Sequence, residues 1–259
     1  MSGERPPKVT VGFFSFTEIT DAAEHRAYNE WHQLDHMPEQ YPLPGIVYGQ
    51  RWVSTPGCRA ARAVDGELLA PVHYVTLYLM SEPIVATLDE FRLLGAELRR
   101  VGRFHHHRRA LLSGPFAVET AAAAPRVLVS GAAVPYRPNR GAYVVVERRP
   151  SPARAGRGDA TATDDADDSP RPVGELLSVP GVAGVWSFAS DDERPGWRPG
   201  HHRVTVCFLD RAPLEVAPAL APTVGHGPRA ASVVHAGPVE TIVPWQWDWF
   251  EAGSVPAPA

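Results

Sequence analysis

From Tyr28 to Ile46 the chain reads Tyr-Asn-Glu-Trp-His-Gln-Leu-Asp-His-Met-Pro-Glu-Gln-Tyr-Pro-Leu-Pro-Gly-Ile. An imidazole titrates close to neutral pH, and a carboxylate that fixes its ring can make it a general acid or base. His36 is the candidate proton carrier here, and Asp35 or Glu39 the candidate orienting group. The bland alternative for His36 is a cation stabilising a helix C-terminus. His32 and His36 are also spaced as helical metal ligands are. A third ligand would have to come from Glu39 or from His105, His106 or His107, and no Cys or His cluster has a diagnostic spacing, so no metal is expected. No Gly-x-Gly-x-x-Gly or phosphate loop follows a strand and no Gly-x-Ser-x-Gly elbow occurs, so the expected cofactor is none and a serine nucleophile lacks support.

These residues need elements to position them. Asp21-Ala-Ala-Glu24 is a capping-box pattern that starts a helix, and Pro38 predicts its end near His36. With roughly 100° between successive helical residues, Ala23, Ala27, Trp31 and Leu34 share the face expected to pack on a sheet. His25, His32 and His36 then fall on the opposite, solvent side, and only His36, at the helix end, is placed for a site. Strands are expected over 9–16, 46–53, 72–80 and about 116–120, with a loop over 54–71 and an amphipathic helix from Ile84 to about Val101. Strand, helix, strand, strand, helix, strand is the ferredoxin-like order. Alternation along 46–53 puts Tyr48, Gln50 and Trp52 on one face and Arg51 on the other, while Tyr74, Thr76, Tyr78 and Met80 share a face of 72–80. A pocket between two sheets, lined by such residues, would suit a planar organic ligand. Arg51, Trp52, Tyr78 and His107 are its candidate contacts. The His105–His107 run otherwise reads as a polar loop at the sheet rim.

The pattern then recurs. His73-Tyr-Val-Thr-Leu-Tyr-Leu-Met-Ser-Glu-Pro83 is echoed by His202-Arg-Val-Thr-Val-Cys-Phe-Leu-Asp-Arg-Ala-Pro213, Gly114-Pro by Gly237-Pro, and Leu43-Pro-Gly-Ile46 by Val179-Pro-Gly-Val182, in the same order. The expected organisation is a first repeat over 1–124, a linker over 125–140, a degenerate second repeat over 141–244 and a Trp-rich tail over 245–259. The second repeat lacks the histidine motif and carries an Ala-, Gly- and Asp-rich tract at 151–170, read as a mobile loop that is acidic over 159–168. Trp245, Trp247 and Trp249 are expected on one side of an extended segment that clamps a groove or a subunit contact, and residues 253–259 are expected to be disordered.

At 259 residues with net charge −4, the chain has no basic face for nucleic acid and no polybasic membrane segment. Its apolar runs are too short for a membrane span, its N-terminus lacks an apolar signal core, and two cysteines make no disulfide framework. The expected setting is cytoplasmic and the expected partner a small-molecule ligand, with room for a homodimer but no nucleic acid and no membrane.

Tyr28-Asn-Glu-Trp31, Asp35-His36, Pro38-Glu39 and Leu43-Pro-Gly45 before a strand resemble the EthD-like group of the dimeric α+β barrel superfamily, over about residues 8–120. The resemblance implies an α+β fold in which two ferredoxin-like βαββαβ repeats of one chain form an intramolecular barrel. Relatives in that superfamily include polyketide cyclases, muconolactone-type isomerases, cofactor-independent monooxygenases and haem enzymes, so fold analogy does not select the chemistry. The functional expectation is a cofactor-independent enzyme of aromatic or polyketide-like metabolism with a His/carboxylate acid-base site in the first repeat. The alternatives are a non-catalytic binding or accessory protein, and a haem-binding barrel with a His axial ligand.

Overall fold

The computed structural model describes residues 8–150, 168–190, 197–225 and 230–251. Nine strands form: β1 Val11–Ile19, β2 Ile46–Val53, β3 Val64–Asp65, β4 Tyr74–Met80, β5 Arg108–Ala123, β6 Gly141–Arg148, β7 Val182–Ser190, β8 His202–Leu209 and β9 Val233–Thr241. The first repeat orders its strands β2-β4-β1-β5 and the second β7-β8-β6-β9, the same permutation twice. β5 pairs with β7, and β2 meets β9 through Trp52–Thr241 and Val53–Glu240, so the sheet closes into a barrel. The short β3 lies outside, paired with β9.

Alternation decides what fills the barrel. One face of every long strand is aromatic or β-branched, and those faces meet inside: Phe14, Phe16, Trp52, Val75, Leu77, Phe116, Val144, Val146, Trp186, Phe188, Val206 and Phe208 form one buried cluster. The interior between the two halves is therefore largely packed hydrocarbon, a protein core where the sequence suggested an aromatic, weakly polar pocket between the sheets.

The repeat shows in its hydrogen bonds. In the turn before β2, Ile46 N donates to Leu43 O at 3.2 Å and Ser81 N donates to Gly45 O at 2.9 Å. Before β7, Val182 N donates to Val179 O at 3.1 Å and Asp210 N donates to Gly181 O at 3.0 Å. Gly181 has φ 101°, a conformation glycine adopts without strain.

Helices cover the outside. In the second repeat α5 (Val173–Ser178) and α6 (Pro213–Gly225) bury Leu176, Val216, Leu220 and Val224 on Tyr143, Val145, Val185 and Cys207. In the first repeat the cover is α4 (Ile84–Arg100) and a composite helix, with a single turn α3 (Pro56–Ala60) in the expected loop. The composite helix runs from a 3-10 turn at Ala22–Glu24 through α1 (His25–Trp31), a π-helical stretch His32–His36 and α2 (Met37–Gln40). It does not stop at His36 as Pro38 predicted. The π stretch widens the turn, Met37 N bonds to His32 O, and Pro38 falls in the first turn of α2, where a missing N–H is tolerated.

Three further expectations change. The fourth strand is much longer than 116–120, because the chain from Arg108 pairs along β1 and then crosses to β7. The expected linker contains a 3-10 helix at Gly131–Tyr136, whose Gly131 O accepts from Trp186 Nε1 at 2.9 Å. The Trp-rich tail is turned, not extended: Trp245 is 72% exposed at φ 72°, while Trp247 is buried with Tyr28, Val53, Tyr74 and Ile242. Of the tract expected to be mobile over 151–170, residues 151–167 lie outside the described residues, as does the end expected to be disordered over 253–259.

Candidate active site

The composite helix lies on the sheet the other way round from the sequence expectation. His25, Tyr28, Asn29, His32 and His36 are buried, whereas Ala23, Ala27 and Leu34 are exposed and Trp31 is half-buried. A small Ala face gains little by burial compared with a face carrying Tyr and three imidazoles, some of which find polar partners on the strands.

Beneath them is the outer face of the first repeat's sheet. The register aligns Arg51 with Thr76, Thr76 with Ser15, and Ser15 with Ser113, a polar row across four strands. The neighbouring rows bring Tyr74 and Tyr78 of β4 to the same face. Tyr28 packs on Tyr74 with ring centroids 4.9 Å apart. Asn29 Nδ2 donates to Tyr74 Oη at 2.8 Å, which leaves the Tyr74 hydrogen for His25 Nδ1 at 2.9 Å. Asn29 Oδ1 accepts from Arg51 Nη2 at 2.8 Å.

Two imidazoles stand together at the centre. Tyr28 Oη and His32 Nδ1 are 2.9 Å apart, and the His32 and His36 rings meet edge-on at 5.2 Å. His36 stacks on Trp31 at 4.5 Å with Phe104 at its edge. Several buried polar atoms here have no protein partner: His32 Nε2, His36 Nδ1, Arg51 Nε, Thr76 Oγ1, Tyr78 Oη and Arg108 Nε. Buried polar atoms are ordinarily satisfied, so such a concentration marks a place built for something else to bond.

The electrostatics follow from burial and two arginines. Desolvation, with Arg108 and Arg51 beside it, pushes His36 down to about 3. The same causes, led by burial, hold His32 well below the usual imidazole range. Both rings are neutral at physiological pH. Burial raises the phenol of Tyr78 despite the nearby Arg51, so it stays protonated.

The expected residues distribute as follows. His36, Arg51 and Tyr78 come together on the outer face. Trp52 does not join them: it points into the barrel, against Phe208, and donates from Nε1 to Asn139 Oδ1 at 3.2 Å. Asp35 and Glu39 do not reach His36, because both turn outward to Arg103, at 2.9 and 2.8 Å, and tie the helix to the loop before β5. His107 is exposed; its neighbour His105 is the member of the run that approaches, 5.6 Å from the Tyr28 ring and 3.3 Å from Glu24. His32, Tyr28, Asn29 and Arg108 are the residues that sequence reasoning missed. Polar types recurring at 25, 28, 29, 32 and 36 were the signal available, read on the wrong side of the helix. Among the described residues no group of three or more His, Cys, Asp or Glu could hold a metal ion.

No family model matches the chain, and no curated protein matches it. Solved structures with a similar path include a chlorite dismutase-like protein (TM-score 0.49, 10% identity, covering 94% of this chain and 98% of that one). An anthrone oxidase-like protein aligns with TM-score 0.48 and 13% identity over 92% of this chain and 93% of its own. A haem-binding protein from Thermus thermophilus aligns with TM-score 0.42 and 14% identity over 93% and 96%. The fold is that of a dimeric α+β barrel with both halves in one chain, as the strand order and closure above describe. No helix among the described residues is long and apolar enough to cross a membrane.

Proposed function

We propose that the chain is a small-molecule enzyme of the isomerase or cyclase type, working by proton transfer without a redox cofactor. Its site lies between the composite helix and the outer face of β2, β4 and β1. The observation that carries this reading is that His36 Nδ1 and His32 Nε2 on the composite helix and Tyr78 Oη on the sheet face beneath it are all buried without a partner. In the proposed step a C–H bond next to a carbonyl breaks. Its proton passes to His36 and its electron pair becomes an enolate. If Tyr28 donates to His32 Nδ1, the free Nε2–H of His32 points its donor at the developing oxyanion, as a neutral imidazole can. Tyr78 offers a second neutral donor. Return of the proton to another carbon gives the isomer, and no electrons are gained or lost. The EthD-like resemblance of the motif fits this reading, with His32 added and Asp35 and Glu39 reassigned to the outer surface.

The test is solvent deuterium exchange into a panel of aromatic ketones and polyketide-like diketones, followed by NMR. Wild type is expected to accelerate exchange in at least one of them. His36→Gln should lower that rate by about 100-fold or more, the usual worth of a positioned acid-base group. Asp35→Asn and Glu39→Gln should stay within a few-fold of wild type. Exchange unaffected by His36→Gln would remove the mechanism.

A further inference from the structure

Three buried guanidiniums among the described residues are matched by carboxylates. Arg203 Nε lies 2.7 Å from Glu119 Oε2, Arg171 Nη2 lies 2.9 Å from Glu147 Oε1, and the buried Arg62 side chain meets Asp65 at 2.7 Å. Arg51 and Arg108 break the pattern. Arg51 is 3% exposed and bonds to neutral partners, the amide oxygens of Asn29 and Gln33, at 2.8 and 3.4 Å. Arg108, half-buried at the start of β5, lies over Phe104 at 4.8 Å and Trp31 at 6.0 Å. Among the described residues neither makes an ion pair; the Nε of each is buried without a partner, as it is in Arg62 and Arg171, so what sets Arg51 and Arg108 apart is the missing carboxylate. Arg51 lies over the Tyr28 ring at 5.5 Å, Tyr28 lies 5.8 Å from Trp31, and Arg108 lies over Trp31, so the two guanidiniums serve one locality. Leaving a buried cation uncompensated is costly, and a site that keeps two is complete only when an anion enters.

We propose that the ligand is a planar aromatic carboxylate, gripped by the Arg51 and Arg108 guanidiniums. Phe13 meets Phe91 at 4.6 Å and Trp197, from the second repeat, at 5.7 Å, and Phe91 lies 5.6 Å from Tyr78. Ser15 and Ser113, half-exposed on the same sheet face, leave the polar row open between these rings and the composite helix. An arginine fork matches a carboxylate edge in two hydrogen bonds. The charge count fits the proposed reaction, on which this inference rests. One guanidinium is answered by the carboxylate in the ground state, and the other is answered only when the enolate forms, which favours the transition state over the bound substrate. Answering one guanidinium also weakens the repulsion that, after burial, holds His36 protonation down, so the substrate itself makes His36 a better base.

Calorimetric titration of the full chain with 2-naphthoate, 2-naphthamide and 2-naphthyl phosphate tests it. The carboxylate is expected to bind at least about ten-fold tighter than the amide. Arg51→Met and Arg108→Met should each erase most of that preference, Arg51→Lys should keep part of it, and His36→Gln should leave it intact. Far-UV circular dichroism on each variant identifies any that fails to fold. Equal affinity for acid and amide, or a preference that survives both methionine variants, would overturn the proposal. Tighter binding of the phosphate would overturn the carboxylate assignment. Carboxylate preference without His36-dependent deuterium exchange would leave this inference standing and sink the proton-transfer reading. Exchange on neutral ketones without any anion preference would do the reverse.

Discussion

Arg51 shows how a single side chain can trade stability for function. Its guanidinium is buried among Tyr28, Tyr74, Asn29 and Gln33 with no carboxylate, and burial lowers its affinity for its own proton. Methionine occupies a similar volume without the charge. Arg51→Met should therefore raise the unfolding free energy of the ligand-free protein by about 1–3 kcal/mol, even after Asn29 Oδ1 loses its donor. Urea denaturation would show it as a higher midpoint at an unchanged slope. A fall in the midpoint would mean that Arg51 is already compensated in the free protein. The sequence placed Arg51, Tyr78 and His36 among the candidates because their types are chemically able. It could not show that Asp35 and Glu39 face Arg103, since i and i+4 neighbours on a helix look alike whichever way the helix is rolled.

At the scale of elements, strand positions were legible and helix orientation was not. The period-two runs at 46–53 and 72–80 sit where alternation put them, because the barrel interior is hydrocarbon and the usual rule of apolar residues inward holds there. The same rule fails for the composite helix, whose inner face lines a polar site, so its histidines go in and its alanines go out. Pro38 misled for a related reason: it stops an ideal α-helix, but a π stretch from His32 to His36 accommodates it and keeps both imidazoles on the inner side. The tail is a third case. Alternate tryptophans suggested an extended clamp, yet Trp245 turns out to solvent while Trp247 is buried and Trp249 packs partly buried on the same cluster, beside Phe250, which stacks on His25 at 3.9 Å. Exposed Arg26 and Glu251 meet 2.6 Å apart, an ion pair too exposed to hold the tail, so apolar burial must. Trp247→Ala should cost about 3 kcal/mol or more, whereas Trp245→Ala should cost under about 1. Thermal unfolding of the two variants separates a packed strap from a loose one, and equal shifts would refute the distinction.

The whole molecule joins two copies of one βαββαβ plan that differ in what covers the sheet. The second repeat keeps an apolar outer layer with its buried charges paired, while the first keeps an outer layer of imidazoles, phenols and unpaired guanidiniums. Repetition in the letters made the shared plan visible, and the loss of the histidine motif pointed to one site per chain. Closure of the barrel through β2 and β9 was beyond sequence reading, because it depends on pairing between residues nearly 190 positions apart (Trp52 with Thr241). The layering has a consequence for acid stability. Burial and neighbouring arginines lower His25 to about 4 and His36, His73 and His235 to about 3, with His32 also well below its ordinary value. An unfolded histidine titrates near 6.5, so above that pH both states are neutral and the stability is fully present. As pH falls from about 6.5 toward 4, the unfolded chain takes up protons that the folded chain refuses, and stability falls by about 1.4 kcal/mol per pH unit for each such histidine. Near pH 5 unfolding should therefore absorb about five protons at these rings, with a further contribution from His105 and His202, which burial also lowers; the pH slope of the unfolding free energy reads the uptake, and His36→Gln should reduce it by about one. Because 2-naphthoate would answer one of the two guanidiniums that bear on His36, saturating it should raise His36 and shrink the uptake in the same window. An uptake near zero in the free protein would mean that these rings are already charged, and with it the neutral imidazole on which the proposed proton transfer depends would be lost.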